Sequence, residues 1–202
     1  MRIVDSISLR SRQRKLDLFM REMQPTVETT VLDVGADELG FGDGEGCATL
    51  NFFEELYAFP ERITALGLHD GRGFAARYPG VRYVQGDACD LPFADGEFDV
   101  VFSNAVIEHV GGRARQSRFV LEALRVGRRV FITTPNRVFP VDVHTRLPFV
   151  HWLPDRASHR AYDLAGRSWA KDNHLLSPQA FRALFPGDVR VVNLGLTLVA
   201  IA

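Results

Sequence analysis

Cysteine is scarce in this 202-residue chain: Cys47 and Cys89 are the whole set, and they lack metal-ligand spacing. An excess of one charge is missing too. Lys and Arg number 24 against 25 Asp and Glu, for a net charge of −1, so the overall electrostatics give no reason to expect DNA, RNA or an acidic membrane as partner. No apolar run approaches the ~18 to 20 residues needed to span a bilayer. Nothing at the start resembles a signal peptide, and the chain shows no internal repeat or low-complexity linker. These absences set an expectation of a reduced, cytoplasmic protein with no nucleic-acid partner, no integral membrane segment and an open oligomeric state. What remains is 46% hydrophobic and 24% charged, the composition of an ordinary globular chain of a length that suits one domain.

The hydrophobic pattern alternates between two periods. Ser8 to Met23 reads as an amphipathic helix stopped by Pro25, with Leu9, Leu16, Phe19, Met20 and Met23 at helical spacing. Its basic run, Arg10, Arg12, Arg14 and Lys15, reads as a solvated face, with a phosphate or nucleic-acid contact as the alternative. Short apolar runs then read as strands at 30–35, 62–68, 81–84, 98–102 and 129–133, with helices at 73–78 and 116–125 between them. This alternation predicts an α/β fold whose sheet is mostly parallel and covered on both faces. Residues 135–155 carry four prolines among aromatics and histidines, which predicts a loop-rich insertion with a short helix near Leu147 to Trp152. A helix over Ser177 to Phe185 is opened by Ser177 as cap and Pro178 in the first turn. Val189 to Ala202, broken at Asn193-Leu194-Gly195, predicts a C-terminal antiparallel hairpin. Boundaries follow: an N-terminal helix over 1–28, a core over 29–134, the insertion over 135–176, and a final helix and strands over 177–202.

Chemistry-bearing residues gather where predicted strands end. In open α/β sheets ligands bind beyond the carboxyl ends of the strands, at the point where strand order reverses. The first strand ends Asp33-Val34-Gly35-Ala36, and the glycine lets backbone and ligand approach closely. The run GFGDGEG that follows, with Gly40, Gly42, Gly44 and Gly46, lacks Lys-Ser/Thr and carries Asp43 and Glu45, which reads as a surface loop before a phosphate cradle. Asn51 and Glu54 have the spacing of a capping box on a helix reaching Phe59. The second strand ends in His69-Asp70. Asp70 suits the hydroxyls of a ribose and equally the cap of the next helix, with His69 the next candidate. After the third strand, Asp87 and Ala88 are placed to read an adenine edge. After the fourth come Ser103, Asn104, Glu108 and His109.

The series VLDVGA, ALGLHD, GDACDLPFADGEFDVVFSNAVIEHV and VFITTPNR resembles the ordered motifs of class I S-adenosylmethionine-dependent methyltransferases, over about residues 30 to 137. Within them it is closest to the small-molecule branch, and the tail pieces PNRVFPVDVHTRLPFVHWLP and LLSPQAFRALFP are similar to a bacterial subset associated with surface-glycan synthesis. The resemblance implies a Rossmann-like, doubly wound, seven-stranded sheet in a single methyltransferase domain, with S-adenosylmethionine as cofactor. It implies Asp33, Gly35 and Ala36 at the methionine end, Asn51 rebuilding those contacts, His69 or Asp70 at the ribose, Asp87 and Ala88 at the adenine, and Ser103 and Asn104 as the floor.

For an oxygen acceptor a proton must leave, and histidine is the side chain poised for that near neutral pH. His109 is the first candidate, with Glu108 to orient it, and His144 and His151 follow; packing or surface roles are the alternative for each. The fourth-strand exit lacks the Asn/Asp-Pro-Pro-aromatic run that holds a planar nitrogen, so a small-molecule or glycan-type acceptor methylated at oxygen is expected. Phe139, Phe149 and Trp152 suit a sugar face, a lipid-like group or ordinary packing. No metal site is expected, since Asp142, His144 and His151 do not form a ligand pattern. The competing readings are a non-catalytic relic that binds the same cofactor and a nicotinamide dehydrogenase; the latter needs the compact G-x-G-x-x-G turn absent after Gly35.

Overall fold

Seven strands form one sheet in the order β3-β2-β1-β4-β5-β7-β6. The computed structural model describes residues 3–37 and 51–202, with side chains from residue 9 onward; the glycines between 40 and 46, with Asp43, Glu45 and Cys47, lie outside them. Strands β1 (Val31–Val34), β2 (Ile63–Gly67), β3 (Arg82–Gln85), β4 (Phe98–Asn104) and β5 (Gly127–Pro135) run parallel. Strands β6 (Arg190–Asn193) and β7 (Thr197–Ile201) form the expected antiparallel hairpin, and β7 docks antiparallel on β5. Chain order reverses between β1 and β4, so their carboxyl ends flank the crevice that such sheets use for ligands.

Helices cover both faces. Helix α1 (Ile3–Met23), α2 (Phe52–Leu56) and α3 (Arg72–Arg77) pack on one side through Phe19, Phe53 and Phe74. Helix α4 (Arg113–Val126) and α6 (Pro178–Arg182) pack on the other through Phe119, Val120, Ala123 and Phe181. Alternation along the inner strands feeds both layers: Val130 and Ile132 of β5 face one cluster and Phe131 the other. Phe19 centres the first layer, meeting the rings of Phe53, Tyr57, Phe102 and Phe131 edge-on at 5.1 to 5.9 Å. Among the described residues no helix is long and apolar enough to cross a membrane.

Several local expectations change. The basic run of α1 is not all solvated: Lys15 is buried, because it lies one turn before Phe19 and so shares that residue's inward face. Asn51 starts α2 without capping it. Its backbone is left-handed at φ 53°, and its amide instead holds Asp37 through two hydrogen bonds, 3.0 Å from Asp37 N and 2.7 Å to Asp37 O. The helix ends at Leu56, short of Phe59, because Tyr57 is already extended at ψ 136°. The insertion holds the expected short turn, Val150–Trp152, and an unanticipated helix, α5 (Asp155–Leu164). Ser177 caps α6 as expected, its hydroxyl accepting from Ala180 N at 3.2 Å.

Candidate active site at the strand tips

A cavity of about 40 Å³ opens between the tips of β1 and β4, lined by Asp33, Gly35, Asn51, Phe52 and Asn104 among others. That is room for a few polar heavy atoms, on the order of three waters. Gly35 turns the chain out of β1 at φ 105°, and its missing Cβ makes way for Val106, whose Cγ2 would stand 2.1 Å from it. Backbone N–H groups of Gly35 and Ala36 both donate to Leu66 O, at 2.8 and 3.0 Å, which ties the turn to β2.

Two opposed charge features converge on this cavity. Asp33 and Glu54 are buried side by side. Burial, and then the charge and hydrogen bond of Glu54, raises Asp33 well above the carboxylate range; burial raises Glu54 as well, against the hydrogen bond from Asp33. Helix α1 supplies the other feature. Lys15 Nζ donates to Asn104 Oδ1 at 2.5 Å and lies 5.4 Å over the Phe52 ring, and the Arg12 guanidinium lies over the same ring at 5.8 Å. Burial, followed by the charge of Arg12, lowers Lys15 from 10.5 to about 7, against an opposing pull from Glu108. Asp33, Phe52 and Asn104 line the cavity, with Glu54 beside the first and Arg12 and Lys15 against the other two. An amino-acid headgroup therefore fits: its cation answers the paired carboxyls and its carboxylate answers the basic side. By this measure the cofactor implied by the sequence fits at its methionyl end.

At the nucleoside end the expected residues are present but engaged. The Asp70 carboxylate accepts from the N–H of Arg72 at 3.2 Å and pairs with the Arg72 guanidinium at 2.7 Å, while Gly71, not Asp70, caps α3. The His69 carbonyl accepts from Tyr83 Oη at 2.9 Å, leaving its ring exposed beside Leu68, which is 67% exposed. Asp87 accepts from Cys89 N at 2.8 Å and from Arg115 Nη2 at 3.1 and 2.8 Å, contacts that hold its carboxyl below the usual range. Ala88 is buried behind it. Ser103 is fully buried and donates to Val34 O at 2.9 Å, so it braces β1 against β4 and is not exposed at the crevice floor. Asn104 remains at the cavity, its Oδ1 also accepting from Thr133 Oγ1 at 2.9 Å.

Beyond β4 the structure brings Glu108, His109 and His144 together, across 36 residues of chain. Glu108 is fully buried; its Oε1 lies 3.1 Å from His144 Nε2 and 3.9 Å from His109 Nε2, and its Oε2 accepts from Thr134 Oγ1 at 3.0 Å. The two rings meet edge-on at 4.9 Å. The environments push the two imidazoles apart. Burial lowers His109 despite Glu108; burial also opposes the charged form of His144, but the hydrogen bond and charge of Glu108 carry it above the usual histidine range. His151 does not join them: its Nε2 sits 3.0 Å from the carbonyls of Arg137 and Phe139, a structural bridge within the insertion. Phe149 and Trp152 pack on each other at 5.2 Å and stay about half exposed, 54% and 46%.

On sequence, Lys15 and Arg12 fell on a solvated face and Glu54 in a capping box, so their place at this site escaped the sequence reading, as did that of Thr134. Only Lys15 and Arg12 had a signal there, since positions 12, 15, 16 and 19 fall on one helical face with Phe19.

Comparison with known proteins places these residues in context. The family described as "Methyltransferase domain" matches residues 38–130. A Mycobacterium tuberculosis protein named "Probable S-adenosylmethionine-dependent methyltransferase" is 38% identical over 104 residues, 50% of this chain and 35% of that one. The Arabidopsis thaliana 2-phytyl-1,4-beta-naphthoquinone methyltransferase is 28% identical over 53% of this chain and 42% of its own. The match thus spans well under half the length of these relatives. An S-adenosylmethionine-dependent methyltransferase structure from Mesorhizobium loti superposes with a TM-score of 0.54 at 17% identity, over 90% of this chain and 94% of that one, which shows a shared fold.

Proposed function

We propose, from its similarity to the "Methyltransferase domain" family over residues 38–130 and to a probable S-adenosylmethionine-dependent methyltransferase, that the chain is a class I S-adenosylmethionine-dependent methyltransferase and that it moves the cofactor's methyl group to an oxygen of a small-molecule or glycan-type acceptor. The single observation that carries the acceptor side is the Glu108, His109, His144 cluster at the exit of β4. Asp33 with Glu54, and Lys15 with Asn104, would hold the amino-acid end of the cofactor; His69 or Asp70, and Asp87 with Ala88, are assigned to its ribose and adenine. The bound cofactor supplies a methyl already activated by the sulfonium.

The chain's own task is then to align and to take a proton. Holding two reacting groups in line contributes on the order of 7 to 11 kcal/mol. Glu108, anchored by Thr134, favours the charged form of His144, while burial favours the neutral form of His109, whose side chain is 44% exposed. Two groups with separated proton affinities give an assignment of roles: His109 accepts the acceptor's hydroxyl proton, and His144 with Glu108 holds the ring arrangement. The relative that methylates a naphthoquinone keeps a flat aromatic acceptor as a second reading, supported by exposed Phe149 and Trp152 nearby in the chain.

His109→Ala is expected to slow turnover by about 10²- to 10⁴-fold while leaving cofactor affinity within a few-fold. Asp87→Ala is expected to do the reverse, because releasing Arg115 disturbs the turn that carries Ala88. Calorimetry with S-adenosylhomocysteine and a methyl-transfer assay separate the two. Tight binding with no transfer to any oxygen acceptor would instead favour a cofactor-binding relic.

A further inference from the structure

We propose that Glu108, His109 and His144 form a binding site for a divalent transition-metal ion of the zinc class. The sequence alone did not suggest it, because His144 lies on a different segment from the Glu108-His109 pair. One ligand atom from each residue lies within 4.8 Å of the others, with Glu108 Oε1 at 3.1 Å from His144 Nε2 and 3.9 Å from His109 Nε2. Ligands at ~2.0–2.1 Å from a tetrahedral ion stand roughly 3.3–3.4 Å from one another. The two Glu108 separations bracket that value, and the two imidazoles stand within 4.8 Å of each other, so rotation of the rings toward a shared ion closes the set. Two imidazoles and a carboxylate are the donor types that borderline ions select over magnesium or calcium.

Supporting contacts are present as well. Thr134 Oγ1 holds the second oxygen of Glu108, and the Asp142 carboxylate fixes the backbone N–H of His144 at 3.0 Å. Three protein ligands leave a fourth position open, and the exposed His109 puts that position within reach of solvent. Its role toward the acceptor rests on the function proposed above. An acceptor hydroxyl occupying that position exchanges its O–H bond for a metal–oxygen bond and releases the proton to water, taking over the task assigned to His109 when no ion is bound. The ion's binding itself does not depend on methyl transfer.

The test is a titration of the full chain, stripped with a chelator and freed of any purification tag, with Co²⁺ followed by Zn²⁺. One equivalent of Co²⁺ is expected to give the visible absorption of a low-coordinate nitrogen–oxygen site, and Zn²⁺ to abolish it. His109→Ala and His144→Ala should each weaken Co²⁺ binding at least about tenfold, with far-ultraviolet circular dichroism confirming the fold. His159→Ala, on the exposed side of α5, should leave it unchanged. His109 is half exposed, so its variant tests the site even where a change at buried Glu108 costs folding. No absorption band, or the same band in a folded His109→Ala/His144→Ala double variant, overturns the site. Loss of methyl transfer in a protein that still binds one Co²⁺ counts against the function proposed above and leaves the metal site standing.

Discussion

Lys15 concentrates the cost of this site in one side chain. Its ammonium lies against a phenyl ring with Asn104 as its hydrogen-bond acceptor, and burial, followed by the charge of Arg12, lowers its pKa from 10.5 to about 7. Between those two values the unfolded chain keeps a proton on Lys15 that the folded chain has lost. Stability therefore rises with pH through that window, by up to about 1.4 kcal/mol per pH unit from this group. Lys15→Met should flatten that rise. Urea denaturation of both proteins at several pH values from about 7 to 10 would show it; parallel pH profiles would mean the lysine is solvated. The same reasoning explains why a Lys in a basic run was misread. Charge composition argues for water, and only its phase relative to Phe19 argues for the interior.

Strand ends were easier to read than helix starts. β1, β2, β4, β5 and the final hairpin fall within a few residues of the expected bounds, because each is a short apolar run that two covering layers require. Asn51 shows the opposite. Its identity fits a cap, yet its left-handed backbone and its grip on Asp37 are set by neighbours that local sequence does not report. Gly35 was legible as a close approach, though the nearby group is Val106 rather than only a ligand. Gly35→Ala meets both a forbidden backbone angle and Val106 Cγ2, and should destabilise by about 1–3 kcal/mol from the backbone alone. Chemical denaturation measures it, and a neutral result would show that the strand exit shifts freely. At the site, Glu108 and His109 were legible as neighbours, but their meeting with His144 depends on how the insertion folds back, which no local pattern encodes.

Across the whole molecule the antiparallel hairpin closes what the parallel strands leave open. β7 covers the edge of β5 from Phe131 to Pro135, and its Leu198, Val199 and Ala200 are fully buried between the two helical layers. Removing residues 188–202 should therefore expose an apolar sheet edge and yield aggregated protein, read by light scattering after refolding; a soluble, cooperative fragment would show that the sheet stands without it. Helix α1 is anchored across equally long stretches of chain. Lys15 meets Asn104, 89 residues on; Arg129 donates to the Met23 carbonyl at 3.0 Å; and Glu22 pairs with Arg190, 168 residues on. At the ~5–20 residues per second of translation, the wait between Glu22 and Arg190 is roughly ten to thirty seconds. For the part of that interval before Phe102 and Phe131 are made, the apolar face of α1 lacks the strands that Phe19 packs on, so α1 can be seated only after β4 and β5 exist and is locked at Arg190 later still.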